Sequence, residues 1–253
     1  MKIVEDFIER WREYFNDAEL PIAFYFTDNP NTSEYAGEPP RWRCFVCDLG
    51  KVRRGMSLYF DVNSITCNGG KRYAGFTQTL RDNFDYFLSC GIEGELEGER
   101  YKKSPAIVKE IMKGQPAFKA PGRYIQFKRL DKLDDNDKPA VVIFFAPPDV
   151  LSGVFTLANY DETDRNAVIA PFGSGCSSII YYPYFELEKK QSKAVLGLFD
   201  VSARPCVTPN IFTLAVTWPK FERMVSNMPE SFLITESWEK IRNRISRSGR
   251  KPE

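Results

Sequence analysis

Apolar positions recur at helical spacing at the start of the chain. Val4, Phe7, Ile8, Trp11, Tyr14 and Phe15 fall on one stripe, which predicts a helix over 4–15. Two continuous apolar runs, each opened by proline, then read as buried strands: Pro21-Ile22-Ala23-Phe24-Tyr25-Phe26 and Pro139-Ala140-Val141-Val142-Ile143-Phe144-Phe145. Between them, Cys44 to Arg54 predicts a helix that buries Phe45, Leu49 and Val52 and carries Cys44, Cys47, Lys51 and Arg54 along another face. Gly55 ends it, a strand follows over 57–62, and Asn68-Gly69-Gly70 reads as a turn. Ser104-Pro105 and Gly114 bracket a helix over 105–113. A strand over 124–127 leads to a polar joint over 130–138. In the second part, Pro147-Pro148-Asp149 opens a helix with Leu151, Val154, Phe155 and Ala158 on one face. The turn 171–176 precedes a short helix interrupted by Pro183. Strands over 194–201 and 212–216, a helix from near Pro219 and a closing helix over 235–245 complete the pattern.

The pattern contains an internal echo. Phe60-Asp61-Val62-Asn63-Ser64-Ile65-Thr66-Cys67 returns as Phe199-Asp200-Val201-Ser202-Ala203-Arg204-Pro205-Cys206, with Phe, Asp, Val and Cys in register. Each copy follows a proline-opened strand and a helix led by a cysteine, Cys44 or Cys176, and precedes a further strand. The expected architecture is α/β or α+β: a mixed sheet flanked by helices, built from two pseudo-repeated strand–helix–strand–strand halves. The halves span 18–133, with an insertion over 68–121, and 139–228, within a single domain over 1–253.

Composition narrows the function classes. Lys+Arg is 35 against Asp+Glu 34, a net charge of +1, which gives no basic footprint for nucleic acid. The basic run from Lys240 to Lys251 reads as a frayed, solvated end. No apolar stretch reaches the roughly 18–20 residues that span a bilayer. The N-terminus lacks a signal-peptide core, so a cytoplasmic protein is expected. Histidine is absent, which removes Ser-His and Cys-His dyads, imidazole acid/base steps and histidine metal ligands. Six cysteines in a reducing compartment are expected to be packed side chains, metal ligands or reactive thiols rather than a disulfide framework.

Four of them, Cys44, Cys67, Cys176 and Cys206, form a pseudo-symmetric set, and Cys47 adds a Cys-x-x-Cys spacing. Four thiolates between facing halves suit zinc or an iron–sulfur cluster. Cys44 and Cys176 sit at helix starts, where the helix dipole favours thiolate. The Gly173-Ser174-Gly175 turn offers backbone N–H groups to an anion but is also a common helix lead-in. Asp61 and Asp200, each at a strand end, read either as carboxylates of a site or as caps of the turns that follow them, with capping the favoured reading. Lys71, Arg72 and Arg204, after the two octets, are candidate ligands for an anionic small molecule.

Several blocks together carry a family resemblance: 21–26, Arg43-Cys44, 55–75 with Cys67-Asn68-Gly69-Gly70-Lys71-Arg72-Tyr73-Ala74-Gly75, 139–151, Gly175-Cys176 and 199–206. On these residues the chain resembles domain-of-unknown-function family 169, the uncharacterised ArCR family, over nearly its whole length. The resemblance implies a prokaryotic, cytosolic protein with no assigned activity, and similarity among members around the positions of Cys44, Cys67 and Cys176. The expectation is a metal or iron–sulfur protein with Cys44, Cys47, Cys67, Cys176 and Cys206 as candidate ligands between two half-domains. The alternatives are a metal-free module binding a small anionic ligand, or a thiol-dependent enzyme.

Overall fold

A computed structural model describes residues 2–16, 18–30 and 33–248. Its strands are β1 (Ile22–Thr27), β2 (Glu34–Tyr35), β3 (Leu58–Phe60), β4 (Tyr124–Arg129), β5 (Val141–Ala146), β6 (Val168–Ile169), β7 (Ala194–Gly197) and β8 (Phe212–Thr217). They form one mixed sheet in the order β2-β3-β4-β1-β5-β8-β7-β6. The two proline-opened runs lie side by side at its centre, antiparallel, with Ile22 opposite Ile143 and Phe24 opposite Val141. Outward from this pair the order is the same in both directions: first, fourth, third and second strand of each side. The outermost pairs, β2 with β3 and β6 with β7, are parallel.

The apolar runs are continuous because both faces of the sheet are covered. Successive side chains point to opposite faces, so Ala23, Val142, Phe144, Leu214 and Val216 join one core while Ile22, Phe24, Val141, Ile143 and Ala215 join the other. The first core is closed by α1 (Lys2–Phe15) and by the helices Pro148–Asn159, Trp218–Asn227 and Glu236–Ser248. There Trp11 stacks on Phe15 at 4.1 Å between ring centres. The second core is closed by α2 (Phe45–Arg53) and by a π-helical turn, Ser177–Tyr181, that runs into a short helix, Tyr182–Phe185. Pro183 follows that π-helical turn directly, so the helical segment is irregular beside the proline but continues through it to Phe185.

Other boundaries also shift from expectation. Asn68-Gly69-Gly70 is the first turn of a helix, Asn68–Tyr73, and not a loop. The helix expected over 105–113 is present at Pro105–Lys113, with Ser104 as its cap. The joint over 130–138 is partly buried. Its Asp137 accepts from Tyr25 Oη and pairs with Lys128 Nζ at 2.8 Å beneath the sheet. The basic C-terminal run is helical through Ser248 rather than frayed, with Arg244 paired to Asp149 at 2.6 Å; residues 249–253 lie outside the described residues.

Candidate functional site

Five of the six cysteines meet on the second face of the sheet, carried there by element ends. Cys44 is the N-cap of α2, Cys67 the N-cap of the helix Asn68–Tyr73, and Cys176 the residue that leads the π-helical turn. Cys44 and Cys67 are brought side by side by their neighbours: the amide of Arg43 donates to Thr66 Oγ1 at 2.9 Å, and that hydroxyl donates back to the Arg43 carbonyl at 3.3 Å. Gly70 lets the helix after Cys67 approach α2. A Cβ there would lie 2.8 Å from Ile65 Cγ2 and 3.0 Å from Phe45 Cβ. Gly175 does the same on the other side, where a Cβ would meet Ala203 and Leu198 at 2.9 Å and Val46 at 3.1 Å.

Cys47 and Cys206 are joined in a disulfide between residues 159 apart in sequence, with Cα atoms 4.6 Å apart. This corrects the expectation that the cysteines form no disulfide. Spacing along one chain does not show which thiols from opposite sides of a sheet will meet. Cys44, Cys67, Cys90 and Cys176 are free. Cys90 stands apart, on an exposed segment that it shares with a cleft lined by residues 92–98 and Arg100.

The three free thiols of the cluster differ in their acidity. Cys67 Sγ accepts the Gly70 amide at 3.1 Å, as an N-cap does. A hydrogen bond from the Cys176 thiol, with help from the amides of Gly70, Phe45 and Gly69, outweighs the cost of burial and lowers Cys67 to about 6. Cys176 is 3 % exposed, and the same shared proton, together with burial, drives it well above the ordinary thiol value. Burial raises Cys44 despite the amides of Val46 and Cys47 beside its sulfur. Of the two, Cys67 is the more acidic thiol and buried Cys176 the less acidic.

Asp200, from the second octet, closes the site. Burial raises its carboxyl, and the amides of Gly175 and Ala203 and the Ser202 hydroxyl, at 2.6 Å, oppose that rise. Asp200 lies within electrostatic reach of Cys44 and Cys176. It is held there by a tight loop in which Leu198 takes φ 63°, the left-handed region that favours glycine. Asp61, its counterpart in the first octet, caps its own turn through the amides of Asn63 and Ser64, as expected.

The candidate anion ligands divide. The Arg204 guanidinium donates to the carbonyls of Leu198, Ile211 and Pro209 and lies 4.6 Å over the Phe212 ring, so it braces the Asp200 loop. Arg72 donates to the Gln78 carbonyl at 2.8 Å. Lys71 is half-buried on the helix after Cys67. Part of the segment 68–121 packs against the stretch around Cys176: Tyr181 Oη donates to the Pro116 carbonyl at 2.5 Å, and Lys102 Nζ sits 3.6 Å above the Phe172 ring.

A family model described as uncharacterised ArCR, domain-of-unknown-function family 169, matches residues 12–227. The chain belongs to the ArCR family. No curated protein and no solved structure matches it. The matched span of this ArCR protein contains every cysteine of the cluster, Asp200 and the central strands that support them.

Among the described residues, no group of three or more His, Cys, Asp or Glu side chains is disposed to hold a metal ion. In the oxidation state shown, Cys47 and Cys206 are bonded to each other and are not available as thiolates. No helix among the described residues is long and apolar enough to cross a membrane. The cysteine pattern in the sequence marks the five clustered residues, and the aspartate recurring six residues before each octet cysteine marks Asp200, which bonds within its own turn through the Ser202 hydroxyl. No sequence signal marks the influence of Cys176 on Cys67.

Proposed function

We propose that the protein is a thiol-dependent redox protein in which Cys67 attacks a disulfide substrate and Cys176 resolves the product. The observation that carries this reading is the placement of Cys67: a half-buried sulfur at a helix N-cap that accepts the Gly70 amide at 3.1 Å, with its thiol lowered to about 6 and the buried Cys176 as the largest influence on it. A thiol with a value near ambient pH combines a high thiolate fraction with retained nucleophilicity.

In the first step Cys67 Sγ⁻ attacks one sulfur of the substrate disulfide. A Cys67–substrate disulfide forms and the other half leaves as a thiolate. In the second step Cys176 gives up its proton, with Asp200 the nearby carboxylate able to take it, and attacks Cys67 Sγ. The Cys67–Cys176 disulfide forms and the remaining substrate half leaves as a thiolate. Two cysteine thiols are oxidised and one substrate disulfide is reduced to two thiols. A disulfide in a cytosolic protein is usually catalytic or redox-sensing, so the Cys47–Cys206 bond also suits a redox role in the expected compartment.

The test treats the reduced protein with excess bis(2-hydroxyethyl) disulfide and maps cysteine linkages by peptide mass spectrometry. A Cys67–Cys176 linkage is expected, and Cys67→Ser should leave Cys176 reduced. The reading is contradicted if both residues stay as thiols in the wild type. It is also contradicted if the anaerobically purified protein holds ~1 equivalent of zinc or iron that blocks the reaction, the result the metal or iron–sulfur reading requires.

A further inference from the structure

The five clustered cysteines form a continuous series from the interior to the surface. Cys176 is buried, Cys67, Cys44 and Cys206 are half-buried, and Cys47 is exposed. Each neighbouring pair has a structural link. The helix that Cys67 caps packs against the π-helical turn that Cys176 leads, and Cys176 is the largest influence on the Cys67 thiol. Cys67 and Cys44 are set side by side by the reciprocal Arg43–Thr66 hydrogen bonds. Cys44 and Cys47 are the N-cap and third residue of α2, with the Cys47 amide beside the Cys44 sulfur. Cys47 is bonded to Cys206.

We infer that the Cys47–Cys206 disulfide and the Cys67–Cys176 thiols are two stations of one internal relay, with Cys44 as carrier and exposed Cys47 as the point where an external dithiol reductant engages the protein. This rests on the reading of Cys67 and Cys176 as the reacting pair.

Three exchanges connect the stations. Cys44 loses its proton and attacks Cys47 Sγ; the Cys44–Cys47 bond forms, the Cys47–Cys206 bond breaks, and Cys206 leaves and is protonated. Cys67 thiolate attacks Cys44 Sγ; the Cys44–Cys67 bond forms and Cys47 leaves and is protonated. Cys176 loses its proton and attacks Cys67 Sγ; the Cys67–Cys176 bond forms and Cys44 is released as a thiol. One disulfide is consumed and one is made, so no outside oxidant is needed. In reverse, the series returns a disulfide formed at Cys67–Cys176 to the surface. There an external dithiol becomes a disulfide as Cys47 and Cys206 become thiols. Cys47 is exposed while Cys44 and Cys67 are half-buried and Cys176 is buried, so an external dithiol meets Cys47 first and Cys44 carries the exchange inward.

The test starts from protein with Cys47–Cys206 bonded and the other thiols reduced. Samples are acid-quenched over time, alkylated and mapped. The wild type should populate both the Cys47–Cys206 and the Cys67–Cys176 linkages. Cys67→Ala should accumulate a Cys44–Cys47 linkage, and Cys176→Ala a Cys44–Cys67 linkage. Cys44→Ala, and Cys44→Ser as a near-isosteric second variant, should slow the redistribution at least about tenfold, the lower bound expected when an exchange loses its attacking thiol. Redistribution at the wild-type rate in both Cys44 variants, or no Cys44–Cys47 linkage in Cys67→Ala, would overturn the relay. Linkage of Cys67 to Cys176 by added bis(2-hydroxyethyl) disulfide separates the two failures. It survives if only the relay is wrong and is lost if the reacting pair is wrong.

Discussion

At Cys67 a single sulfur receives a helix-cap amide and a thiol proton, and the second of these dominates its acidity. Removing the donor by Cys176→Ala should move the midpoint of Cys67 alkylation upward from about 6 toward the free-cysteine value near ~8.5, whereas Cys176→Ser, which keeps a donor, should move it less. The same depressed value links stability to pH. A group lowered on folding stabilises the native state fully above its unfolded value, and this is lost as pH falls through its folded value. Urea unfolding of the protein should therefore show stability declining between roughly pH 8.5 and 6, and Cys67→Ser should flatten that decline. The sequence pointed to the wrong thiols: Cys44 and Cys176 lead helical segments as expected, but burial raises both, and the lowered thiol is Cys67, whose helix does not read as one. The influence of Cys176 on Cys67 was not legible either, since the two belong to elements far apart in the chain and only the fold brings them together.

At the scale of elements, the site is made of helix starts. The cysteine-led helix at Cys44 could be read from its apolar face. The one after Cys67 could not, because Asn-Gly-Gly is a poor helix former and reads as a turn. Packing overrides propensity there: Gly70 is the residue that fits against Ile65 and Phe45. Gly70→Ala sets a gain in helix propensity of ~1 kcal/mol against overpacking of ~1–3 kcal/mol. One of the atoms met is Phe45 Cβ, which is fixed to the α2 backbone, so overpacking should win. The expected result is a net loss of up to about 2 kcal/mol by urea titration, with slower Cys67 alkylation as the capping turn shifts. The strands follow the same division. The two long apolar runs were plain in the sequence, whereas β2 and β6, two residues each, carry too little pattern to be seen.

At the scale of the molecule, the Cys47–Cys206 disulfide ties the start of α2 to the loop before β8, across the sheet's central pair. Closing so long a loop restricts the unfolded chain strongly. Reduction, or Cys47→Ser with Cys206→Ser, should cost about 2–5 kcal/mol, seen as a lower thermal midpoint without loss of far-ultraviolet dichroism. The mixed sheet between helical layers was legible from alternating strand and helix patterns, and so was the gathering of cysteines from both parts of the chain. Which cysteines bond and which remain free was not, because that depends on how the two sides of the sheet dock. The central claim, that Cys67 is the reacting thiolate, is tested most directly by measuring alkylation of each cysteine against pH by mass spectrometry. Cys67 should lead within the cluster, with its rate half-maximal near pH 6 while Cys44 and Cys176 remain protonated and slow. A Cys67 midpoint at about 8.5 or above, or faster reaction at Cys44 or Cys176, would contradict it.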